Sequence, residues 1–224
     1  MVLELSMTYP KTTRSTLKRL AERGHYDEAS VHKVLDAGLV AHVAIAPEGQ
    51  PVVIPVLYAR MGNEIVFHGA KASRLMKTLQ NGGPVCVAVT LLDGLVLARS
   101  LFEHSMNYRS VVAFGTGRLI ADREEKLETL RAIAEHMLPG RWDDARRPTE
   151  KELNATTVVA VKIDEASAKI RTGGPEDNEE DYALPVWAGV LPILQVYGQP
   201  KADERLAPDS LVPGYLKNLA DGLP

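Results

Sequence analysis

Glu64-Ile-Val-Phe-His-Gly-Ala-Lys-Ala-Ser-Arg-Leu-Met-Lys-Thr-Leu-Gln-Asn-Gly82 reads as strand, tight turn and helix. Ile65 to Phe67 is a short β-type run, and His68 with Gly69 punctuates it. Lys71 to Asn81 has helical composition, with Leu75, Met76 and Leu79 on one side and Gly82 at the C-cap position. A helix start presents unpaired backbone N–H groups and a partial positive charge, so the turn suits a phosphate. Ser73 adds a hydroxyl, and Arg74 adds a planar fork matched to phosphate geometry. The plain alternative is an ordinary βα turn in which Ser73 caps the helix and Arg74 faces water.

Around this stretch the chain alternates short apolar runs with turn signals. Thr8 to Gly24 is a basic arm carrying Lys11, Arg14, Lys18, Arg19 and Arg23. Asp27 is a candidate N-cap for a helix with Val31, Val34 and Leu35 on one face, stopped at Gly38. Leu39 to Ile45 and Val52 to Tyr58 read as strands, the second marked as an edge or a bulge by Pro55. Val85 to Leu92 and Leu95 to Ser100 read as two strands joined at Asp93-Gly94, the strongest hairpin signal in the chain. Val111 to Ile120 is a further strand, kinked at Gly115 and Gly117. Asp122 with Glu125 and Thr149 with Glu152 open helices, and Val158 to Ile163 is a strand that Ala168 to Arg171 extends after an interruption. Leu184 to Ile193 is apolar again, but its prolines bar it from a central strand. Six or seven strands with few helices between them predict a mainly β fold: an antiparallel barrel with helices outside it. The organisation expected is an arm over residues 1–26, one domain over 27–200 and a Pro-punctuated tail over 201–224.

The 224 residues are 45% hydrophobic and 25% charged, with a formal net charge of -3. That balance gives no electrostatic footing for nucleic acid or for an anionic membrane surface. No apolar run is long enough to cross a bilayer and the first ten residues lack a signal-peptide pattern, so the expected location is cytoplasmic. The one cysteine, Cys86, sits in an apolar run and reads as an inert buried thiol. No nucleophile elbow, Walker loop, His-Glu-x-x-His or dense metal-ligand spacing is present, so neither a catalytic side chain nor a metal site is assigned. A second polar cluster runs from Arg99 to Ser110, and its donors and cations suit a phosphate or the edge of a polar heterocycle. His68 and His104 are the possible general acids, although a lone histidine is more often structural.

Phe67-His-Gly-Ala-x-x-Ser-Arg74, Pro84-Val-Cys-Val87, Leu92-Asp-Gly-Leu-Val-Leu-Ala-Arg-Ser100, His104-Ser-x-Asn-Tyr-Arg-Ser-Val111, Pro139-Gly-Arg-Trp142, Lys169-x-Arg171 and Val186-Trp-Ala-Gly-Val-x-Pro192 occur in that order. Together they resemble the flavin-nucleotide-binding proteins of the pyridoxamine 5'-phosphate oxidase-like superfamily, including the nitroimidazole-resistance type. The resemblance implies a split β-barrel of antiparallel, Greek-key type. It also implies a homodimer that binds FMN, or alternatively FAD, in clefts shared by both subunits. It makes Ser73 and Arg74 phosphate contacts and places His68 beside the flavin. Ser105, Asn107, Tyr108, Arg109 and Ser110 would line the same cleft, Val53, Ile54 and Pro55 would lie against the isoalloxazine ring, and Trp187 would close the cleft from the second subunit. Two departures separate the chain from true pyridoxamine phosphate oxidases. Val52 to Tyr58 lacks their Arg-x-Val-Leu-Leu-Lys run, and their terminal Trp-Gln-x(4)-Arg-Leu-His pattern is absent. The expected function is a flavin-dependent oxidoreductase for a small planar substrate. The alternatives are a carrier or sensor of flavin, or of haem through His68, and a structural dimer with an empty cleft.

Overall fold

Burial along the long strands alternates with period two, as a sheet with one face on a core requires. In the computed structural model, which describes residues 7–207 and 209–222, the elements are β1 (Gly24–His25), α1 (Glu28–Ala37), β2 (Val40–Ile45), β3 (Val52–Leu57), β4 (Ala59–Met61), β5 (Glu64–Ala70), α2 (Arg74–Gln80), β6 (Pro84–Leu97), β7 (Ser105–Leu119), α3 (Arg123–Met137), α4 (Arg141–Asp144), α5 (Glu150–Ala155), β8 (Thr156–Arg171), β9 (Gly189–Pro192) and α6 (Gly214–Ala220). The main sheet runs β3-β2-β6-β7-β8-β5-β4, with β1 added to β8 and β9 to β6, and every pairing is antiparallel. Since β3 runs straight into β4, the two ends of this path are one piece of chain bent at Tyr58. The sheet therefore closes on itself as a split barrel, open only where β3 and β5 part.

Two runs read as separate strands in the sequence are one strand. β6 continues through Asp93-Gly94, because its partner β7 pairs with both halves: Leu92 faces Tyr108 and Gly94 faces Asn107. Asp93 is the extra residue of a β-bulge, and the inward set shifts with it, from Val85, Val87 and Val89 to Gly94 and Val96. The glycine is needed because a Cβ there would stand 3.0 Å from the Leu191 carbonyl oxygen on β9. β8 likewise runs unbroken through the expected interruption, with its irregularity opposite Phe114 and Gly115. The polar cluster is also less of a loop than expected. Only Arg99 to His104 forms a connection, and from Ser105 onward it is strand.

One core cluster joins the inward faces of the strands to α1, through Val31, Val34 and Leu35, and to α2, through Leu75, Met76 and Leu79. These two helices flank the barrel, as expected, each pressing one apolar face into its core. Burying each such side chain contributes roughly 1.5–3 kcal/mol, so α1 and α2 hold the sheet in place. α3 covers the other face of β5, where Val66 joins Ile133 and Val158. That coverage explains why Ile65, Val66 and Phe67 are all buried instead of alternating. The basic arm crosses the outer sheet face: Arg14 pairs with Glu165 and stacks on Phe114 at 4.8 Å. At the other end of the chain, Tyr215 donates to Asp144 at 2.7 Å and ties α6 to α4. No helix among the described residues is long and apolar enough to cross a membrane.

Candidate functional site

The opening of the barrel follows from its register. β4 pairs with β5 up to Ala59↔Val66, and continuing that ladder would set Leu57 against His68 and Pro55 against Ala70. Instead β3 turns to β2, from Leu57↔Val40 to Val52↔Ile45. A mouth is left whose rims are the unpaired edge of β3 and the last residues of β5. On one rim Val53 and Pro55 are exposed and Ile54 packs inward against the core. An edge strand offers free backbone groups there, with Pro55 contributing only its carbonyl. On the other rim stand His68 and the turn into α2. Ser73 caps that helix by accepting from the Met76 N–H at 3.5 Å, which leaves its hydroxyl proton free. Arg74 and His68 are exposed, and neither side chain has a hydrogen-bond or ion-pair partner among the described residues. Partial desolvation lowers the His68 pKa, so its ring is neutral at pH 7 and can offer a nitrogen lone pair.

The second expected group lies elsewhere. His68 is opposite Val158 on β8, whereas Arg109 is opposite Ile170. Twelve strand positions separate the two, a contour of about 40 Å. Within one chain, therefore, the two groups do not surround a common ring. The polar residues at this far end are also largely engaged. Arg109 is not a free cation but forms a two-point pair with Asp93, at 2.9 and 2.7 Å, which holds the Asp93 carboxyl below its ordinary pKa. Asn107 is buried, accepts from Arg171 and donates to the Gly173 carbonyl at 3.0 Å. Ser110 donates to the Lys169 carbonyl at 3.3 Å. Trp187 is 67% exposed and packs beside Gly189, which pairs with Leu97 at the end of β6.

Ser105 and Tyr108 do line a basin of about 570 Å3, and the arm forms its other wall with Arg19 and Arg23, while Lys169 comes from β8. These three cations were not among the expected site residues. The signal available was the density of basic residues between Thr8 and Gly24, but nothing local says where an arm docks. Beside the basin a strip of exposed apolar side chains, Leu92, Leu95, Met106 and Leu191, crosses β6, β7 and β9. Among the described residues no group of three or more potential metal-ligating side chains occurs.

A family model described as pyridoxamine 5'-phosphate oxidase matches residues 27–170. Flavocytochrome Anf3 from Azotobacter vinelandii is similar to the chain at 41% identity and TM-score 0.86, over 93% of this chain and 97% of that one. The FAD and heme binding protein from Mycobacterium smegmatis is similar at 38% identity and TM-score 0.84, over 88% and 97%. A Bacteroides thetaiotaomicron protein named for 5-nitroimidazole antibiotic resistance shares the fold, at 22% identity and TM-score 0.57 over 66% and 86%. No curated protein matches the chain in sequence. A match spanning most of the chain, from the cap of α1 to the penultimate residue of β8, places this protein in the pyridoxamine 5'-phosphate oxidase-like family.

Proposed function

We propose that the chain is a redox protein that binds a flavin nucleotide and haem, working as a homodimer. The observation that carries this reading is the state of the mouth: among the described residues Arg74 and His68 are both unpartnered, one a free phosphate fork and the other a free neutral imidazole. A flavin phosphate fits the Ser73 hydroxyl and the Arg74 guanidinium. The His68 ring would hold haem iron through its free nitrogen. The two relatives near 40% identity, by name a flavocytochrome and an FAD and heme binding protein, support both groups and favour FAD over FMN. When bound, a flavin moves electrons in pairs or singly and haem iron moves them singly. The chain's own part is to hold, orient and shield them.

A second subunit answers the separation of the two polar groups. Laid on Leu92 and Leu191 of the apolar strip, it would bring its own Ser105-to-Ser110 strand and Trp187 toward the mouth of the first. Turnover of a small planar substrate is the enzyme form of this reading, and electron carriage without turnover is the other.

The absorption spectrum of the purified protein, with the masses of the small molecules released on denaturation, tests the proposal. Flavin bands and a Soret band are expected. His68→Ala should abolish the Soret band and keep the flavin. Arg74→Ala should weaken flavin retention by roughly 1.5–3 kcal/mol, about 10- to 150-fold, with the fold intact. Colourless protein that takes up neither group would overturn the reading. A monomeric mass in solution would remove the two-subunit site. NAD(P)H oxidation with a quinone or nitroaromatic acceptor separates enzyme from carrier.

A further inference from the structure

The basin at the far end of β8 gathers more positive charge than the fold requires. Arg19 and Arg23 reach it from the arm, Lys169 from β8, and Arg171 from the floor of an adjoining hollow that shares Arg19, Arg23, His104 and Ser105 with it. Two carboxylates, Glu103 and Glu176, line only that hollow, against four permanent cations in the combined lining. Like charges drawn together on a concave surface repel one another, so such an arrangement is relaxed by an anion.

Arg171 makes the second, independent observation. It is 94% buried by area, at 6% exposure, yet its guanidinium meets only neutral oxygens: Asn107, and the carbonyls of Gly173 at 3.3 Å and Gly174 at 3.0 Å. Its Nε has no partner at all among the described residues. A buried cation without a carboxylate is costly, and an orphaned donor adds to the cost. Lys169 is similarly held by one neutral group, the Arg19 carbonyl at 3.1 Å. Among the described residues the one ion-pair partner of Arg23 is Glu22, at a loose 3.8 Å. The arm holds this geometry through Leu20, which sits in the left-handed region at φ 53 although it is not glycine.

Beside His104 and Ser105, the rest of the wall between these cations is apolar or aromatic. Leu20, Leu95 and Met106 are apolar and Tyr108 presents an aromatic ring. Cations at one side and flat apolar surface at the other match a group that is anionic at one end and a planar heterocycle at the other. We propose that this basin binds the ADP moiety of an adenine dinucleotide, its diphosphate on Arg19, Arg23 and Lys169 and its purine against Tyr108, Leu95 and Met106. The moiety can come from the flavin cofactor itself, in which case the basin meets the mouth of a second copy, so that Arg74 and the basin's cations share one diphosphate, and the inference rests on the flavin reading and its homodimer. Or it can come from a free nicotinamide dinucleotide, in which case it stands apart from both.

Calorimetric titration with ADP decides, on protein as purified and again after its bound small molecules are stripped, with circular dichroism confirming the fold. Binding to the protein as purified identifies a free dinucleotide as the source. Binding only after stripping identifies the cofactor's own ADP half. In either case Arg19→Ala combined with Arg23→Ala should weaken ADP at least tenfold. Lys162→Ala, an exposed cation on another part of β8, should leave it unchanged. ADP that binds neither preparation, or binds the double variant as well as the parent, overturns the proposal. Should the purified protein release no flavin while ADP still depends on Arg19 and Arg23, the flavin reading falls and this one stands.

Discussion

The mouth between β3 and β5 and the basin at the other end of β8 are built in opposite ways. The mouth is shaped by backbone: a strand that leaves its ladder, a helix pressed into the core, and free side chains set on a rigid rim. The basin is shaped by charge: Arg171 on Asn107 and two carbonyls, Lys169 on the Arg19 carbonyl, with the Arg109–Asp93 pair lining a separate hollow on the same strands. Rigid backbone can leave its functional groups unpartnered, whereas a surface made of ions must satisfy most of them before a ligand arrives.

Substitutions that remove each support separately test this contrast. Gly117→Ala carries the largest expected effect. A Cβ there would stand 2.2 Å from the Leu79 carbonyl oxygen and 2.7 Å from its carbonyl carbon, so α2 would have to leave β7. A loss of ~3 kcal/mol or more is expected in denaturant unfolding, and a near-neutral result would refute a mouth held by backbone packing. Arg171→Met should cost about 2 kcal/mol by freeing Asn107 and the two glycine carbonyls, while amide exchange in α2 stays as in the parent. Ser73→Ala should cost ~1 kcal/mol, with faster exchange confined to α2. Asp93→Asn should cost less, about 0.5 kcal/mol, because both partners of the pair are a third exposed. Arg109 depresses the Asp93 pKa in the folded state, so the pair's contribution is present above the ordinary value of 3.8 and fades as pH falls through the lowered one. The stability difference between parent and Asp93→Asn should therefore shrink on acidification below 3.8. A difference that grows instead would contradict the pairing.

What could be read in the sequence divides along the same line. Helix starts were legible because a cap joins residues three apart: Asp27 accepts from the Ser30 N–H at 2.8 Å, and Thr149 with Glu152 forms the reciprocal box. The same locality made the turn after His68 readable, with Ser73 capping α2. Asp93-Gly94 misled because a hairpin signal is also local, and a fifteen-residue partner strand overrode it. The basin was only half legible: Ser105 and Tyr108 stood in the readable cluster, but nothing local sets the arm's cations beside them. Arg171 and Asn107 are 64 residues apart, and Lys169 lies 150 from Arg19. Such contacts are set by strand register and by where the arm lies, and a single sequence displays neither. The resemblance supplied the family and the split barrel, and the comparisons bear both out. It could not show that the two clusters occupy opposite ends of one chain.

The bend at Tyr58 has a consequence for cofactor exchange. Its ring is fully buried and its hydroxyl donates to the Leu35 carbonyl, so the corner is anchored to α1 and not to anything lodged between the rims. The sheet is joined at that seam by the covalent chain, and emptying the opening breaks no ladder hydrogen bond. Apoprotein should thus remain folded and ready to reload, with bound groups adding stability only by mass action.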